Sequence, residues 1–272
     1  LNYVKIKQYQ TRIIKKFISK KIDLFIGIDS PDFNIGIHKA LKSKGIPTVH
    51  VVCPSVWAWR SGRKKQFKYI DYMLCLFEFE KKFAENVNKA SFCIGHPLVR
   101  QSTSFKKNKT KNLICLLPGS RASEIHSNTQ IMIDSFNAFN SNKKYHAVIP
   151  CYNNQNKKLV EKYTQSEKNI KPTLKSSMEM LSQSAAAVVC SGTATLEAML
   201  LEVPSAIVYR TNFVNFFLLR MFVNTKFIGL PNIVSGKEIF KEFIQGDFIS
   251  ENIKNELNYL INNRSNVLKS IK

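Results

Sequence analysis

Leu113-Ile114-Cys115-Leu116-Leu117-Pro118-Gly119-Ser120-Arg121 joins an apolar run to a small-residue turn, and Ala186-Ala187-Val188-Val189-Cys190-Ser191-Gly192-Thr193-Ala194-Thr195-Leu196-Glu197 repeats the arrangement. A short apolar run, a turn and a helix-compatible continuation make up the strand-turn-helix unit of parallel sheets. The first amides of such a helix lack intrahelical acceptors and the macrodipole adds partial positive charge, so both turns suit a phosphate or another anion. They point to a nucleotide-type ligand.

Outward from these stretches, strands and helices alternate. Before them, strands are expected at Leu24–Ile28, Thr48–Val52, Met73–Phe77 and Phe92–Ile94, with helices near Asn34–Lys44, Gly62–Tyr69 and Glu80–Val87. Gln101 to Lys111 is a polar Ser/Thr/Lys/Asn segment and reads as a linker, dividing a unit at 1–104 from one at 112–272. The second unit runs strand Leu113–Leu117, helix Ala122–Phe139, strand His146–Ile149, helix Gln155–Tyr163, strand Ile170–Leu174 and helix Met178–Gln183. It continues through strand Ala186–Cys190, helix Ala194–Leu201 and strand Ser205–Tyr209, then mainly helix to the end. Met132, Phe136 and Phe139 fall at i, i+4 and i+7 and mark the buried face of the long helix. Neither GxGxxG nor GxxxxGK[ST] occurs, which argues against the common NAD and ATP-loop fingerprints.

Composition narrows the classes. A chain of 272 residues with 44% apolar side chains supports one large domain or two α/β domains. The six cysteines, Cys53, Cys75, Cys93, Cys115, Cys151 and Cys190, show no CxxC spacing and read as reduced, buried thiols of a cytosolic protein. No apolar stretch reaches the roughly 20 residues that cross a bilayer, so a soluble or peripheral protein is expected. A net charge of +22 draws the chain toward anionic partners, or simply reflects scattered surface lysines. The first segment, with Lys5, Lys7, Arg12, Lys15, Lys16, Lys20 and Lys21 among Val4, Ile13, Ile14, Phe17 and Ile18, suits either an anionic membrane surface or, by preference, a helix capping the domain.

Ligands of open parallel sheets sit beyond the carboxyl ends of strands, so strand-end residues are the candidates. Arg121 can neutralise charge on a departing diphosphate, or cap local carbonyls. Ser191-Gly192-Thr193 offers backbone and hydroxyl donors, while Glu197 can accept a ribose diol or serve the helix dipole in its first turn. Asp29 can act as a general base, although taken alone Asp29 or Asp32 reads as the cap of the next helix. His96 in Gly95-His96-Pro97 is an acid-base candidate or a structural residue. Trp57, Trp59 and Arg60 can meet a sugar face, an acyl chain or a membrane interface, or pack in a core. The apolar stretch 213–222 is a buried helix or a lipid-facing patch, burial being favoured.

In order, Gly27-Ile28-Asp29-Ser30-Pro31-Asp32-Phe33-Asn34, Pro54-Ser55-Val56-Trp57-Ala58-Trp59-Arg60, Gly95-His96-Pro97, Leu117-Pro118-Gly119-Ser120-Arg121, Ser191-Gly192-Thr193-Ala194-Thr195-Leu196-Glu197 and Leu230-Pro231-Asn232 resemble the lipid-A-disaccharide synthase family. The resemblance covers nearly the whole chain. It implies an α/β fold of GT-B type, with two Rossmann-like domains facing a cleft, the first incomplete and acceptor-side, the second holding UDP. It implies an inverting, metal-independent transfer without cofactor, moving 2,3-diacylglucosamine from UDP to the 6-hydroxyl of 2,3-diacylglucosamine 1-phosphate. On that basis Asp29 is the base or an essential carboxylate. Gly119, Ser120, Arg121 and Ser191 to Thr193 hold the diphosphate, Glu197 the ribose and Asn232 the donor region. Trp57, Trp59, Arg60 and His96 fall on the acceptor or lipid side. The implied setting is cytoplasmic and peripheral on the anionic inner-membrane surface, with a homodimer as an optional assembly and nucleic acid not expected.

Departures accompany the matches. Family members open with a Gly-Glu-x-Ser-Gly-Asp motif that has no counterpart ahead of the basic segment, so uncovered sheet edges and apolar faces are expected. Glu78 stands ahead of Phe79-Glu80 where the family usually has Pro, and the helical tail stops early at Lys272. The alternatives to an enzyme are a non-catalytic or incomplete remnant that binds UDP-sugar, and a basic module for anionic lipid or nucleic acid.

Overall fold

Two parallel sheets carry the computed structural model, which describes residues 3–54, 66–87, 90–105, 110, 112–211 and 226–271. Trp57, Trp59, Arg60 and the stretch 213–222 lie outside the described residues.

The first unit opens with α1 (Tyr3–Ser19), followed by β1 (Phe25–Ile28), α2 (Pro31–Lys42), β2 (Thr48–Val51), β3 (Tyr72–Cys75), α3 (Glu78–Glu85) and β4 (Ser91–Cys93). Its sheet has the order β1-β2-β3-β4 with every pair parallel. The basic segment does form a capping helix: Ile13, Ile14 and Phe17 pack on Phe25, Ile37 and Leu41, leaving the lysines outward. Among the described residues nothing covers the opposite face of the sheet. Ile26, Ile28, Tyr72, Phe92 and Ile94 are all exposed, although parallel sheets normally cover both faces. Residues 66–69 form a 3-10 turn, and the earlier part of the helix expected at Gly62–Tyr69 lies outside the described residues.

The second unit begins at Pro97 rather than near 112. Helix α4 (Pro97–Ser102) runs into the expected linker and packs on a later helix, with Leu98 buried. The Thr110 amide donates to the Gln183 carbonyl at 2.7 Å, so at this residue the expected linker is bonded into the unit. A Ser/Thr/Asn composition predicts exposed backbone but says nothing of which layer that backbone bonds to.

The elements that follow are β5 (Leu113–Leu117), α5 (Ala122–Phe139), β6 (His146–Pro150), α6 (Asn154–Thr164), β7 (Ile170–Thr173), α7 (Ser177–Gln183), β8 (Ala186–Cys190), α8 (Thr193–Leu200) and β9 (Ser205–Tyr209). Helix α9 (Leu230–Ser235), β10 (Glu242–Ile244), α10 (Ser250–Asn262) and α11 (Arg264–Ile271) complete it. The sheet order is β10-β9-β8-β5-β6-β7, again all parallel. Strand β10 adds an element to a region expected to be mainly helical. Three residues beginning at a charged Glu242 carry no strand period, and pairing with β9 decides their conformation.

All five residues of β8 are buried, which explains the unbroken apolar run of a central strand covered on both faces. Met132 and Phe136 of α5 are fully buried, with Phe139 packed at their margin, against Ile253, Leu257 and Leu260 of α10. Cys53, Cys75, Cys115, Cys151 and Cys190 are free and buried. Cys93 is only half-buried, a correction to the uniform expectation.

Candidate nucleotide-sugar site

Within the second unit the chain builds outward from β5 through β6 to β7, then crosses to β8 and proceeds the other way through β9 to β10. The order reverses between β5 and β8, the switch point where doubly wound sheets bind ligands. Leu117 and Val189 are register partners, so the two small-residue turns leave the sheet side by side. They line a cavity of about 510 Å³ that gathers Gly119, Ser120, Arg121, Ser191, Gly192, Thr193 and Glu197.

The two turns are not equivalent. In the first, Gly119 adopts φ 117°, and its missing side chain makes room for Glu124, whose Cβ would lie 2.6 Å from an added Cβ. The Glu124 carboxylate accepts the amides of Ser120 and Arg121 at 3.0 and 3.2 Å and the Arg121 guanidinium at 2.8 Å. This is the glutamate half of a capping box: the residue at the third helical position accepts the amides at and just before the N-cap, and the N-cap arginine carries no acceptor to return the bond. The expectation of amides open to an anion is corrected for Ser120 and Arg121, whose donors are taken inside the turn. The Arg121 guanidinium, whose side chain is 80% exposed, offers further donors.

In the second turn the Ser191 amide is bonded to the Val208 carbonyl at 2.8 Å. Ser191 donates its hydroxyl to the Ile228 carbonyl at 2.9 Å, while the Thr195 amide and hydroxyl both return to the Gly192 carbonyl. The amides of Thr193 and Ala194 open α8 ahead of the first intrahelical acceptor and border the cavity. Asn128, fully buried on α5, ties the turns together by donating from Nδ2 to the Pro118 carbonyl at 2.8 Å and to Cys190 Sγ at 3.4 Å. Burial pushes the Cys190 thiol up to about 12, so it stays neutral.

Glu197 lies beyond the first turn of α8, which removes the reading as a dipole partner. Ser177 donates its hydroxyl to Glu197 Oε2 at 2.5 Å. Burial raises the Glu197 pKa above its ordinary value, and the Ser177 bond partly offsets this. Asn232 does not line the cavity. It is fully buried, donates to the Phe240 carbonyl and Glu242 Oε1, and accepts the amides of Ile239 and Phe240, so its amide is spent inside the fold. Glu242 in turn accepts the amides of Ile228 and Gly229, the segment that receives Ser191.

The walls also include Tyr152, Lys175 and Ser177, which the strand-end reading left out. They follow β6 and β7, and the same rule carried to those two strands reaches them.

Asp29 belongs to the first unit. It is exposed and adopts φ 49°, followed by Ser30 at 42°, and Val52 at the end of β2 has φ 73°. Left-handed backbone at three non-glycine residues, one of them β-branched, is strain of the kind that clusters at functional sites. It is held in place: the Asp29 amide donates to the Val51 carbonyl at 2.9 Å, and Asn34 Nδ2 donates to the Asp29 carbonyl at 2.7 Å. The N-cap of α2 is Ser30, without a side-chain cap bond, so Asp29 is not the cap. His96, half-buried with its ring centroid 5.4 Å from that of Phe77, has its pKa lowered by burial.

Two units built on parallel sheets, with a cavity suited to an anion at the switch point of the second, define an α/β protein of GT-B type. UDP-GlcNAc 2-epimerase from Neisseria meningitidis shares the fold at a TM-score of 0.65 and 14% identity, over 98% of this chain and 75% of that one. The sequence profile of the lipid-A-disaccharide synthetase family matches residues 1–272. Lipid-A-disaccharide synthase of Acinetobacter baylyi is 35% identical over 93% of this chain and 70% of its own length. That of Blochmanniella pennsylvanica is 37% identical over 93% and 69%. The chain belongs to the lipid-A-disaccharide synthetase family, whose members are hexosyltransferases that form the lipid A disaccharide from a UDP-sugar and a lipid acceptor.

Proposed function

We propose that the cavity at the β5/β8 switch point holds the UDP of a 2,3-diacylglucosamine donor, and that Asp29 is the general base toward the 6-hydroxyl of 2,3-diacylglucosamine 1-phosphate. The observation that carries this reading is the gathering of Arg121, the α8 amides and Glu197 in one cavity. The guanidinium and the helix N-terminus supply positive charge for a diphosphate, and the Glu197 carboxylate supplies paired acceptors for a ribose diol. Tyr152, 85% exposed at the wall, offers a ring face to a planar base.

In the reaction Asp29 takes the acceptor's hydroxyl proton as that oxygen bonds to the donor's anomeric carbon. The bond from that carbon to the diphosphate oxygen breaks, and UDP leaves with the electron pair. Arg121 meets the charge that develops on the leaving group. The lysine-rich outer face of α1 supports a cytoplasmic setting on an anionic inner-membrane surface. The test is UDP-dependent thermal protection together with disaccharide formation from the two acyl sugars. A melting curve indifferent to UDP removes the nucleotide assignment, and UDP protection without product supports a binding remnant.

A further inference from the structure

Ser177 and Glu197 meet on one wall of the cavity at the β5/β8 switch point, and the fold fixes both. The chain leaves β7 through Leu174, Lys175 and Ser176, all of which line the cavity, and enters α7 at Ser177. That turn is braced from within. Thr173 Oγ1 accepts the Lys175 amide at 3.2 Å, Ser176 Oγ accepts the Glu179 amide at 3.2 Å, and Lys175 pairs with Glu179 at 2.7 Å. Met178, Met180 and Leu181 are buried and α7 packs on α8, so the backbone under Ser177 is held in place. From there its hydroxyl donates to Glu197 Oε2 at 2.5 Å.

Thr193 and Glu197 are four residues apart on α8, so they share a helix face, with Glu197 about 6 Å further along the axis. When a nucleoside diphosphate sets its phosphates on the α8 amides, the next group along it, the ribose, falls beside Glu197. Accepting both hydroxyls of a diol requires the two carboxylate oxygens to be ionised and turned toward them. The terminal torsion of a glutamate is broad, and burial favours the protonated form, in which one oxygen becomes a donor. The Ser177 bond opposes both effects. It orients the carboxylate plane and favours the ionised acceptor, while Oε1 and the second lone pair of Oε2 remain for the diol.

Resting on the reading of this cavity as a UDP site, we propose that Ser177 is a positioning residue that presents the Glu197 carboxylate to the ribose diol and so sets the selection of ribose over 2′-deoxyribose. Calorimetric titration of UDP and 2′-deoxy-UDP into the full chain tests it. The parent should prefer UDP by about 10- to 100-fold, the contribution of a hydrogen bond to a charged group. Ser177→Ala should lose roughly tenfold in UDP affinity while the affinity for 2′-deoxy-UDP changes far less, and Ser177→Thr, which keeps the hydroxyl, should restore the preference. In a Glu197→Gln background the Ser177→Ala change should leave the preference where it stands. A cavity that is merely loosened weakens both nucleotides together, so equal losses overturn the proposal, as does a parent-like preference in Ser177→Ala. A parent that binds both nucleotides alike overturns it with the UDP site still standing. A parent indifferent to UDP refutes the UDP reading itself, so the two failures are distinct.

Discussion

Glu124 holds the Arg121 guanidinium at 2.8 Å with one carboxylate oxygen and the amides of Ser120 and Arg121 with the other. Two amides of the first turn are thereby engaged from within, and the guanidinium keeps further N–H groups for an anion. Arg121→Ala should weaken UDP binding by about 10- to 100-fold, since hydrogen bonds to charged groups contribute ~1.5–3 kcal/mol. The melting temperature without UDP should hardly move, because an exposed ion pair adds little stability. Calorimetric titration and thermal shift check both halves, and undiminished UDP affinity in this variant refutes the role.

Gly119 is required twice over, by its φ of 117° and by the Glu124 side chain packed against its α-carbon. Gly119→Ala introduces a strained conformation and a contact that displaces Glu124. It should lower stability by ~1–3 kcal/mol and loosen the turn. A denaturant midpoint equal to the parent's counts against the steric account.

Glu197 sets stability against binding. Its folded pKa is raised by burial, so the ionised form is disfavoured in the fold relative to the unfolded chain. The penalty begins as pH rises past the ordinary value of 4.5 and stops growing above the raised folded value. Glu197→Gln should therefore melt higher than the parent at pH 7 and alike below pH 4.5, while losing UDP affinity. Equal melting at both pH values shows that the carboxylate bears no desolvation cost.

What the sequence discloses of this site follows the range of its signals. Apolar runs and turns gave Ala122–Phe139 and Ser205–Tyr209 to the residue, because a strand or helix boundary is written in local composition. The capture of the Ser120 and Arg121 amides by Glu124 is also local, at the spacing of a capping box, yet the box opens with arginine rather than serine or threonine and gives a weak signal. Asn128 bridging Pro118 to Cys190 and His38 meeting His50 depend on elements far apart in sequence, which no local period encodes. Asn232 shows the converse. Its motif is conspicuous, but its four hydrogen bonds are structural.

His38 and His50, buried with Nε2 and Nδ1 3.0 Å apart, predict how the fold responds to acid. In the unfolded chain each histidine takes up a proton near its ordinary value of 6.5, whereas in the fold both wait until about 4. Between those values the unfolded state binds more protons, so stability must fall as pH drops through the window and level off beneath it. Each proton of difference is worth about 1.4 kcal/mol per pH unit. His96, lowered by burial in the same direction, adds to the slope. Denaturant titrations at pH 7, 6, 5 and 4 should show the loss, and His38→Gln should flatten the curve by up to one proton. If that variant retains the parent's full slope, the acid sensitivity resides in other groups and the pair is not held neutral by burial.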